Sequence, residues 1–237
     1  PLVPRSGASA MQRIDLNADC GEGFDDAGLM EYVTSANIAC GGHTGSSESM
    51  ARTVALAVEA GVVIGAHPSF MDRGGFGRVP LDTAPLELRD QVLWQVGALQ
   101  GLCSAHDKSG SGGVRYIKPH GALYHAVMQG GAQGEAVFEA ARMLDLPLLL
   151  MPSSKWATYG EGFAERAYDG NALRPRDREG AVIHDPVLAA AQGVSLAQRA
   201  DLHTICVHGD SPNAVNVARE VRKGLESAGF EIRAFCP

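Results

Sequence analysis

The sequence has 237 residues, of which 45% are hydrophobic, and its 20 basic and 27 acidic side chains give a formal net charge of −7. An acidic chain without a basic cluster is a poor candidate for binding nucleic acid or anionic lipid. No apolar run approaches the roughly 18 residues that a membrane-spanning helix needs, and no signal peptide follows Met11. We therefore expect a soluble, cytoplasmic protein without nucleic-acid or membrane partners.

The first ten residues, "PLVPRSGASA", differ from the rest of the chain. They precede Met11 and contain LVPR followed by Ser, which resembles the cleavage site of a tag-removing protease. We interpret residues 1–10 as the remnant of an expression tag. Residues 11–237 are then predicted to form a single domain, because one α/β barrel routinely reaches this length.

The cysteines are odd in number and widely scattered, and no CxxC pair suggests zinc or a redox centre. They are Cys20, Cys40, Cys103, Cys206 and Cys236. We expect free thiols in a reducing compartment.

Strands and helices alternate along the predicted chain. Short apolar or β-branched runs predict strands at 13–19, 35–40, 62–67, 115–120, 146–151 and 203–209, with a weaker candidate at 165–168. Helical spacing of apolar residues predicts helices at 47–61, 85–106, 134–145 and 212–230, with Pro212 suited to the first turn of the last one. A flexible loop is expected at 107–113. Such alternation implies parallel pairing, and six or seven units favour a closed (β/α) barrel over an open sheet.

Polar side chains cluster at the predicted carboxyl ends of the strands, where barrel enzymes keep their active sites. They are Asp15, Asn17, Asp19, Glu22, Asn37, His43, His67, Asp72, Arg73, Arg78, Lys118, His120, His208 and Asp210. Each alone has a structural explanation, such as a helix cap or a buried hydrogen bond. Together they favour one shared site, because burying unpaired charge costs several kcal/mol without compensation. Lys118 and His120, two residues apart, should point into it together.

Six segments resemble the LamB/YcsF family and cover nearly the whole chain. They are "DLNADCGEGF" (15–24), "SANIACGGHTG" (35–45), "IGAHPSFMDRGGFGR" (64–78), "YIKPHGALY" (116–124), "ERAYDGNALRPR" with "GAVIHD" (165–185), and "VHGDSPNAV" (207–215). The resemblance implies an irregular barrel of about seven parallel strands, related to the glycoside hydrolase and deacetylase fold. It also implies ATP-dependent opening of 5-oxo-L-proline (pyroglutamate) to L-glutamate by the A subunit of a 5-oxoprolinase that contains separate B and C subunits.

The implied chemistry assigns roles to the clustered residues. ATP is expected as a co-substrate, with Mg²⁺ entering only with it, and no tightly bound cofactor or resident metal is predicted. Phosphoryl transfer to the lactam oxygen needs cations, for which Lys118, Arg73 and then Arg78 are candidates. Acid and base candidates complete the predicted catalytic group, which is Asp19, His67, Lys118, His120 and His208. Predicted substrate or ATP ligands are Asp15, Asn17, Glu22, Asn37, His43, Asp72, Arg73, Arg78 and Asp210.

Two other functions remain open at this point. The first is a metal-dependent deacetylase or amidohydrolase, in which Asp19 and two of the histidines at positions 43, 67, 120 and 208 hold a divalent ion. The second is a non-catalytic ligand-binding subunit. The chain also departs from the family pattern at Ser46, Val79 and His125, and its loop between Tyr168 and Leu173 is about one residue shorter than usual.

Overall fold

The computed structural model describes residues 2–3, 12–106, 113–211 and 213–236. Its strands are β1 (Arg13–Cys20), β2 (Ser35–Ala39), β3 (Val63–His67), β4 (Val114–Ile117), β5 (Leu149–Leu150), β6 (Tyr159–Phe163), β7 (Tyr168–Asp169), β8 (Ala172–Leu173), β9 (Thr204–Val207) and β10 (Glu231–Ile232). Its helices are α1 (Asp26–Met30), α2 (Ser47–Ala60), α3 (Pro85–His106), α4 (Gly121–Gln129), α5 (Gly131–Met143), α6 (Pro186–Ala197) and α7 (Ala214–Ser227). Of these helices, none combines the length and apolar character needed to cross a membrane.

Seven parallel strands form a nearly closed barrel. They pair in the order β4, β3, β2, β1, β9, β6, β5. A parallel bridge between Ile117 and Leu148 joins the two ends, and the Ile117 N–H donates to the Pro147 carbonyl at 2.9 Å. The strand β10 adds to β1 outside this path, and β7 pairs with β8 as an antiparallel hairpin. The predicted (β/α) barrel of about seven strands is therefore confirmed.

The alternation of residues in β1 explains how the barrel has an apolar outside layer and a polar interior. Ile14 and Leu16 belong to the hydrophobic core, which helices cover. The intervening Asn17 and Asp19 point the other way, and the side-chain amide of Asn37 donates to both of them at 2.7 and 2.9 Å. A strand buried on both faces can thus carry polar residues, because these find hydrogen-bond partners on a neighbouring strand.

The strand that lies between β5 and β9 in the barrel is at a different place in the chain from the strand that the sequence predicts. The weak candidate at 165–168 is wrong as a barrel strand, since only Tyr168 of it lies in a strand, the hairpin strand β7. The barrel strand is β6, "YGEGF", which begins six residues before the predicted candidate. Two glycines hide it from propensity rules, yet they fit tight places: a Cβ at Gly160 would lie 2.1 Å from the Asp201 carbonyl oxygen.

Helices α1, α4 and α6 are absent from the sequence prediction, and the predicted strand at 115–120 ends earlier, at Ile117. Lys118 still continues the ladder through its N–H, which donates to the Ala66 carbonyl, but Pro119 has no N–H to donate. His120 then becomes the N-cap of α4. The loop predicted at 107–113 lies outside the described residues except for Gly113, and so does Pro212.

Only Leu2 and Val3 are described within the segment that we interpret as a tag remnant. The Val3 N–H donates to the Thr158 carbonyl at 3.1 Å, and its carbonyl accepts a bond from His203 Nε2 at 2.6 Å. These two residues therefore lie against the barrel. The domain assignment itself, 1–10 and 11–237, stays a prediction.

Candidate functional site

A cavity of about 620 Å³ opens at the carboxyl ends of the barrel strands. This size lies within the range of roughly 300–1,000 Å³ that is usual for small-molecule sites. Buried polar side chains form its floor: Asp19, Glu22, His67, Lys118 and His120. Aromatic and cationic residues from the loops after β3 and β6 and from α4 form its walls.

Lys118 lies at the centre of the cavity floor, and its side chain is only 2% exposed. Its Nζ donates to Asp19 Oδ1 at 2.8 Å and to the Cys206 sulfur at 2.9 Å. It also forms an ion pair with Glu161 Oε2 at 3.2 Å, and the Phe163 ring lies 5.4 Å away. Residues from the three strands β1, β6 and β9 thus converge on one ammonium group.

Electrostatics keep this cluster charged. Burial favours the neutral amine, but the charges of Asp19 and Glu161 outweigh it and hold the pKa of Lys118 well above its usual value. Burial likewise works against the ionised Asp19, yet His67 and Lys118 hold the pKa of this carboxyl well below its usual value. Burial raises the pKa of Glu161, although Lys118 opposes the change. The Asp19–Lys118 pair is therefore an ion pair at neutral pH.

Three histidines and Glu22 form a second cluster on the same floor. His67 Nε2 lies 3.0 Å from His120 Nδ1 and 3.5 Å from Asp19 Oδ2. Glu22 Oε1 lies 3.4 Å from His120 Nδ1 and 2.9 Å from His43 Nε2. The rings of His43 and His120 stack with their centroids 3.7 Å apart. Glu22, His67 and His120 bring three metal-binding atoms within 4.8 Å of one another.

Burial disfavours the ionised forms of Glu22, His43 and His120 in the second cluster. Burial, together with the charges of Asp19 and Asp210, raises the pKa of Glu22 well above its usual value. Burial and the neighbouring His67 lower the pKa of His43 to about 2 and also lower the pKa of His120. The His43 and His120 rings are therefore neutral at physiological pH.

Gly77 makes the close packing of this cluster possible. It adopts a left-handed φ of 66°, and a Cβ there would lie 2.7 Å from His43 Cβ and 2.8 Å from His120 Cδ2. Only glycine satisfies both requirements without strain. The loop after β3 can thus cover the two stacked rings.

Cationic side chains surround the mouth of the cavity, and they are Arg78, Arg166, Arg174 and Arg176. Arg78 pairs with Asp210, and Arg174 pairs with Asp169 at 2.9 Å. Arg166 is 4% exposed and donates to the carbonyls of Arg174 and Ala181, while no carboxylate in the described part of the chain forms an ion pair with it. Burial and the repulsion of Arg176 lower the pKa of Arg166 to about 10, so it remains a cation. An anionic ligand would complement this wall.

The structure gathers many of the sequence-predicted site residues around the cavity. Those lining it are Asp19, Glu22, His67, Arg78, Lys118, His120, His208 and Asp210. Asn17, Asn37 and His43 stand directly behind them and bond to them or to one another. His208 stacks on Phe163 with centroids 5.6 Å apart, and its Nδ1 lies 3.6 Å from Glu165 Oε2.

Three predicted binding residues lie away from the cavity lining. Asp15 is at the opposite end of β1, where it accepts hydrogen bonds from the hydroxyls of Thr34, Ser35 and Thr204. Asp72 accepts from the N–H groups of Gly75 and Val79 and so shapes its own loop. Arg73 donates to the carbonyls of Gly41 and Gly45, which ties the loop after β2 to the loop after β3. In this structure the three side chains serve as internal supports.

Sequence reasoning missed several residues of the site. Glu161 was hidden in the unrecognised strand β6, and Cys206 had been assigned no role beyond a free thiol. The walls contributed by Tyr124, Phe163 and Arg166 were missed as well. An isolated glutamate between two glycines was the available signal for Glu161, since a charge inside a short strand is unusual.

A nearly closed barrel of seven parallel strands defines a (β/α)-barrel protein. Its polar cavity lies at the carboxyl ends of the strands, which is where barrel enzymes have their active sites. The model of the LamB/YcsF family matches residues 14–237. The chain belongs to the LamB/YcsF family, as its motifs predicted.

Named relatives cover nearly the full chain. A protein from Agrobacterium fabrum, named as a 5-oxoprolinase A subunit, is 41% identical over 255 residues, covering 95% of this chain and 98% of the relative. A 5-oxoprolinase A subunit from Nocardia farcinica is 43% identical over 252 residues, with coverages of 94% and 99%. A crystal structure of the lactam utilization protein from Thermus thermophilus superposes with a TM-score of 0.86 at 35% identity, covering 94% and 100%.

More distant structures share the fold alone. A family 4 carbohydrate esterase from Streptomyces lividans has a TM-score of 0.52 at 12% identity, covering 94% of this chain and 93% of the esterase. This likeness agrees with the predicted deacetylase-like barrel and says nothing about chemistry.

Proposed function

We propose that this chain is the A subunit of an ATP-dependent 5-oxoprolinase, which opens 5-oxo-L-proline to L-glutamate with separate B and C subunits in the cytoplasm. The names of its relatives support this reaction. The observation that carries the proposal is the buried ammonium of Lys118 at the floor of a cavity whose wall holds the guanidinium of Arg166, which has no carboxylate partner among the described residues. Fixed cations of this kind bind carboxylates and phosphates and stabilise charge that develops on them.

The coupling to ATP follows from the chemistry of the substrate. An unstrained five-membered lactam is a poor electrophile, so transfer of the γ-phosphoryl group from ATP to the lactam oxygen activates the carbonyl carbon and releases ADP. Water then adds to that carbon, the carbon–nitrogen bond breaks, and the nitrogen takes a proton. A second water releases phosphate from the resulting acyl phosphate to give glutamate. Mg²⁺ enters with ATP in this scheme.

In this proposal Lys118 and Arg166 interact with negative charge at two different places on the substrates. Lys118 lies where charge develops on the lactam oxygen, and Asp19 orients it through the bond of 2.8 Å between Nζ and Oδ1. Arg166 binds an anionic group of a substrate at the wall. Pre-positioned charges inside a partly enclosed cavity need no rearrangement during the reaction, which is why they accelerate it.

Asp19 and His208 are our candidates for moving protons. Asp19 is ionised, and its Oδ2 is turned toward the histidine cluster at 3.5 Å from His67 Nε2, so it can accept a proton from the attacking water. His208 lies on another part of the cavity wall, stacked on Phe163, and can deliver a proton to the departing nitrogen.

The test reconstitutes the chain with purified B and C subunits and measures ADP and glutamate together. The complete mixture should form both products in equal amounts. Lys118→Met should lower kcat by at least about 100-fold, the size of effect seen when one charge-stabilising donor is removed. Lys155→Met is the matched control, because Lys155 lies on the exposed surface over Trp156, away from the cavity.

Two results would overturn the proposal. One is a complete mixture that opens no 5-oxoproline although each component is folded. The other is a folded Lys118→Met variant, shown by an unchanged circular dichroism spectrum, that retains the activity of Lys155→Met. Activity of the chain alone without ATP, abolished by chelators, would favour the amidohydrolase alternative.

A further inference from the structure

The rings of His67 and His120 face each other through nitrogens that carry no proton in the neutral state. His67 Nδ1 lies 2.7 Å from the Lys118 carbonyl, and His120 Nε2 lies 3.0 Å from the Phe76 carbonyl. A carbonyl oxygen only accepts, so each of these nitrogens must be the N–H donor. A neutral imidazole has a single N–H. When both rings are neutral, as metal binding requires, His67 Nε2 and His120 Nδ1 therefore direct lone pairs at each other across 3.0 Å.

Glu22 adds a carboxylate oxygen to the same point. Its Oε1 lies 3.4 Å from His120 Nδ1 and 3.9 Å from His67 Nε2. Two ligands bound to one ion at about 2.1 Å lie about 3.0–3.4 Å apart, depending on whether the geometry is octahedral or tetrahedral. Two of the three separations fall in this range, and the third exceeds it by about 0.5 Å.

The contacts behind these three side chains are those of a metal site. Histidine ligands characteristically donate their second N–H to a carbonyl or carboxylate, which fixes the ring and aims the lone pair. His67 and His120 both do so, and His43 Nε2 approaches Glu22 Oε1 at 2.9 Å. The three potential ligands are 1–7% exposed as residues. Their geometry is held by backbone groups on two different loops.

We propose that Glu22, His67 and His120 form a binding site for one divalent transition-metal ion. Two imidazoles and one carboxylate are a ligand set that suits Zn²⁺, whereas Mg²⁺ and Ca²⁺ prefer oxygen ligands throughout. All three side chains line the cavity, so an open coordination position would face a bound substrate. An ion held there would polarise a carbonyl oxygen or acidify a bound water.

This site deepens the proposed function, since it lies beside Lys118, but its test needs neither ATP nor 5-oxoproline. The tag-free chain is stripped with a chelator and titrated with Zn²⁺ by calorimetry, and bound metal is counted after equilibrium dialysis. Co²⁺ absorption gives an independent signature of imidazole ligation. One equivalent of Zn²⁺ should bind.

Variants assign the ligands. Glu22→Gln and His120→Ala should raise the Kd for Zn²⁺ by at least about 100-fold, which exceeds the 10- to 100-fold loss typical of contacts behind the ligands. His125→Ala is the matched control, because His125 lines the same cavity without facing this cluster, and its Kd should stay within about twofold of wild type. Circular dichroism of the metal-free variants confirms that they fold.

The outcomes separate the metal site from the reaction. Absence of saturable Zn²⁺ or Co²⁺ binding below roughly 100 µM, or equal binding by all variants, would overturn the site and leave a shared proton between the two rings. If the assembled enzyme then still opens 5-oxoproline, the proposed function stands without the ion. Stoichiometric binding in an assembly without that activity overturns the function alone.

Discussion

Lys118 and Asp19 form an ion pair of 2.8 Å across the barrel interior, between residues that are 99 positions apart and only 2% and 5% exposed. Breaking such a pair leaves one buried charge without its partner, which costs about 3–5 kcal/mol, whereas removing both charges costs less. This asymmetry gives the pair a measurable signature.

Lys118→Met and Asp19→Asn should each lower the free energy of unfolding by about 3 kcal/mol, and the double variant should lose clearly less than the sum. Urea unfolding of the four proteins gives the coupling energy. The exposed pair Arg222–Glu226 is the control and should show a coupling of about 0.5 kcal/mol or less. Additive losses at Lys118 and Asp19 would mean that the two charges do not interact in solution.

The residues that surround the Lys118 ammonium could be predicted only in part from the sequence. Alternation in β1 placed Asn17 and Asp19 on one face, and the charge after β4 identified Lys118 as a strand-end residue. Propensity rules could not find Glu161, because the glycines on either side of it, Gly160 and Gly162, give no strand signal. These two positions hold glycine because the backbone there lies close to Asp201 and Leu202. Nor could spacing reveal that Cys206 bonds to Lys118, since that contact depends on barrel closure.

Asp15 predicts a pH dependence of stability at the far end of the barrel. Burial, opposed by hydrogen bonds from Thr204, Thr34 and Ser35, raises its pKa from 3.8 to about 6. The folded state therefore binds the proton more tightly, and the contribution of Asp15 to stability is present below pH 3.8 and lost as the pH rises through 6. The loss amounts to about 3 kcal/mol.

Asp15→Asn isolates this effect from other titrating groups. The stability of the variant relative to wild type should improve steadily between pH 4 and pH 7, because the amide stays neutral where the carboxyl must ionise. Urea midpoints at several pH values provide the measurement. A constant difference across this range would show that Asp15 keeps an ordinary pKa in the folded protein.

The cationic wall predicts an effect on substrate binding. On the proposal that ATP is the co-substrate, Arg176→Ala should raise the KM for ATP by about fivefold with kcat nearly unchanged, which corresponds to about 1 kcal/mol for an exposed charge. The loss should shrink as salt is added. Arg178→Ala is the matched control, because Arg178 is equally exposed two residues away but does not line the cavity. Equal effects of the two changes would argue against a specific contact at Arg176.

The cysteines predict a simple labelling pattern. Cys20, Cys40, Cys103 and Cys206 are buried and Cys236 is partly exposed. Burial raises the pKa of Cys20, Cys40 and Cys206, which further lowers their reactivity. A maleimide should therefore modify one thiol of the native chain and all five after denaturation. Mass spectrometry that finds rapid native labelling at Cys206 would show that the cavity floor opens in solution.

One parallel bridge between Ile117 and Leu148 completes the circle of strands, and Ile117 directly precedes Lys118 in the chain. The bridge that closes the barrel is therefore directly beside the residue that carries the buried ammonium. Separation of the strands at this bridge would loosen the backbone just before Lys118, while the other six strand pairings of the barrel remain. Within the described part of the chain, the buried ion pair of Lys118 thus lies beside a joint of the barrel that one bridge secures, so a ligand that binds Lys118 should also stabilise the closed barrel.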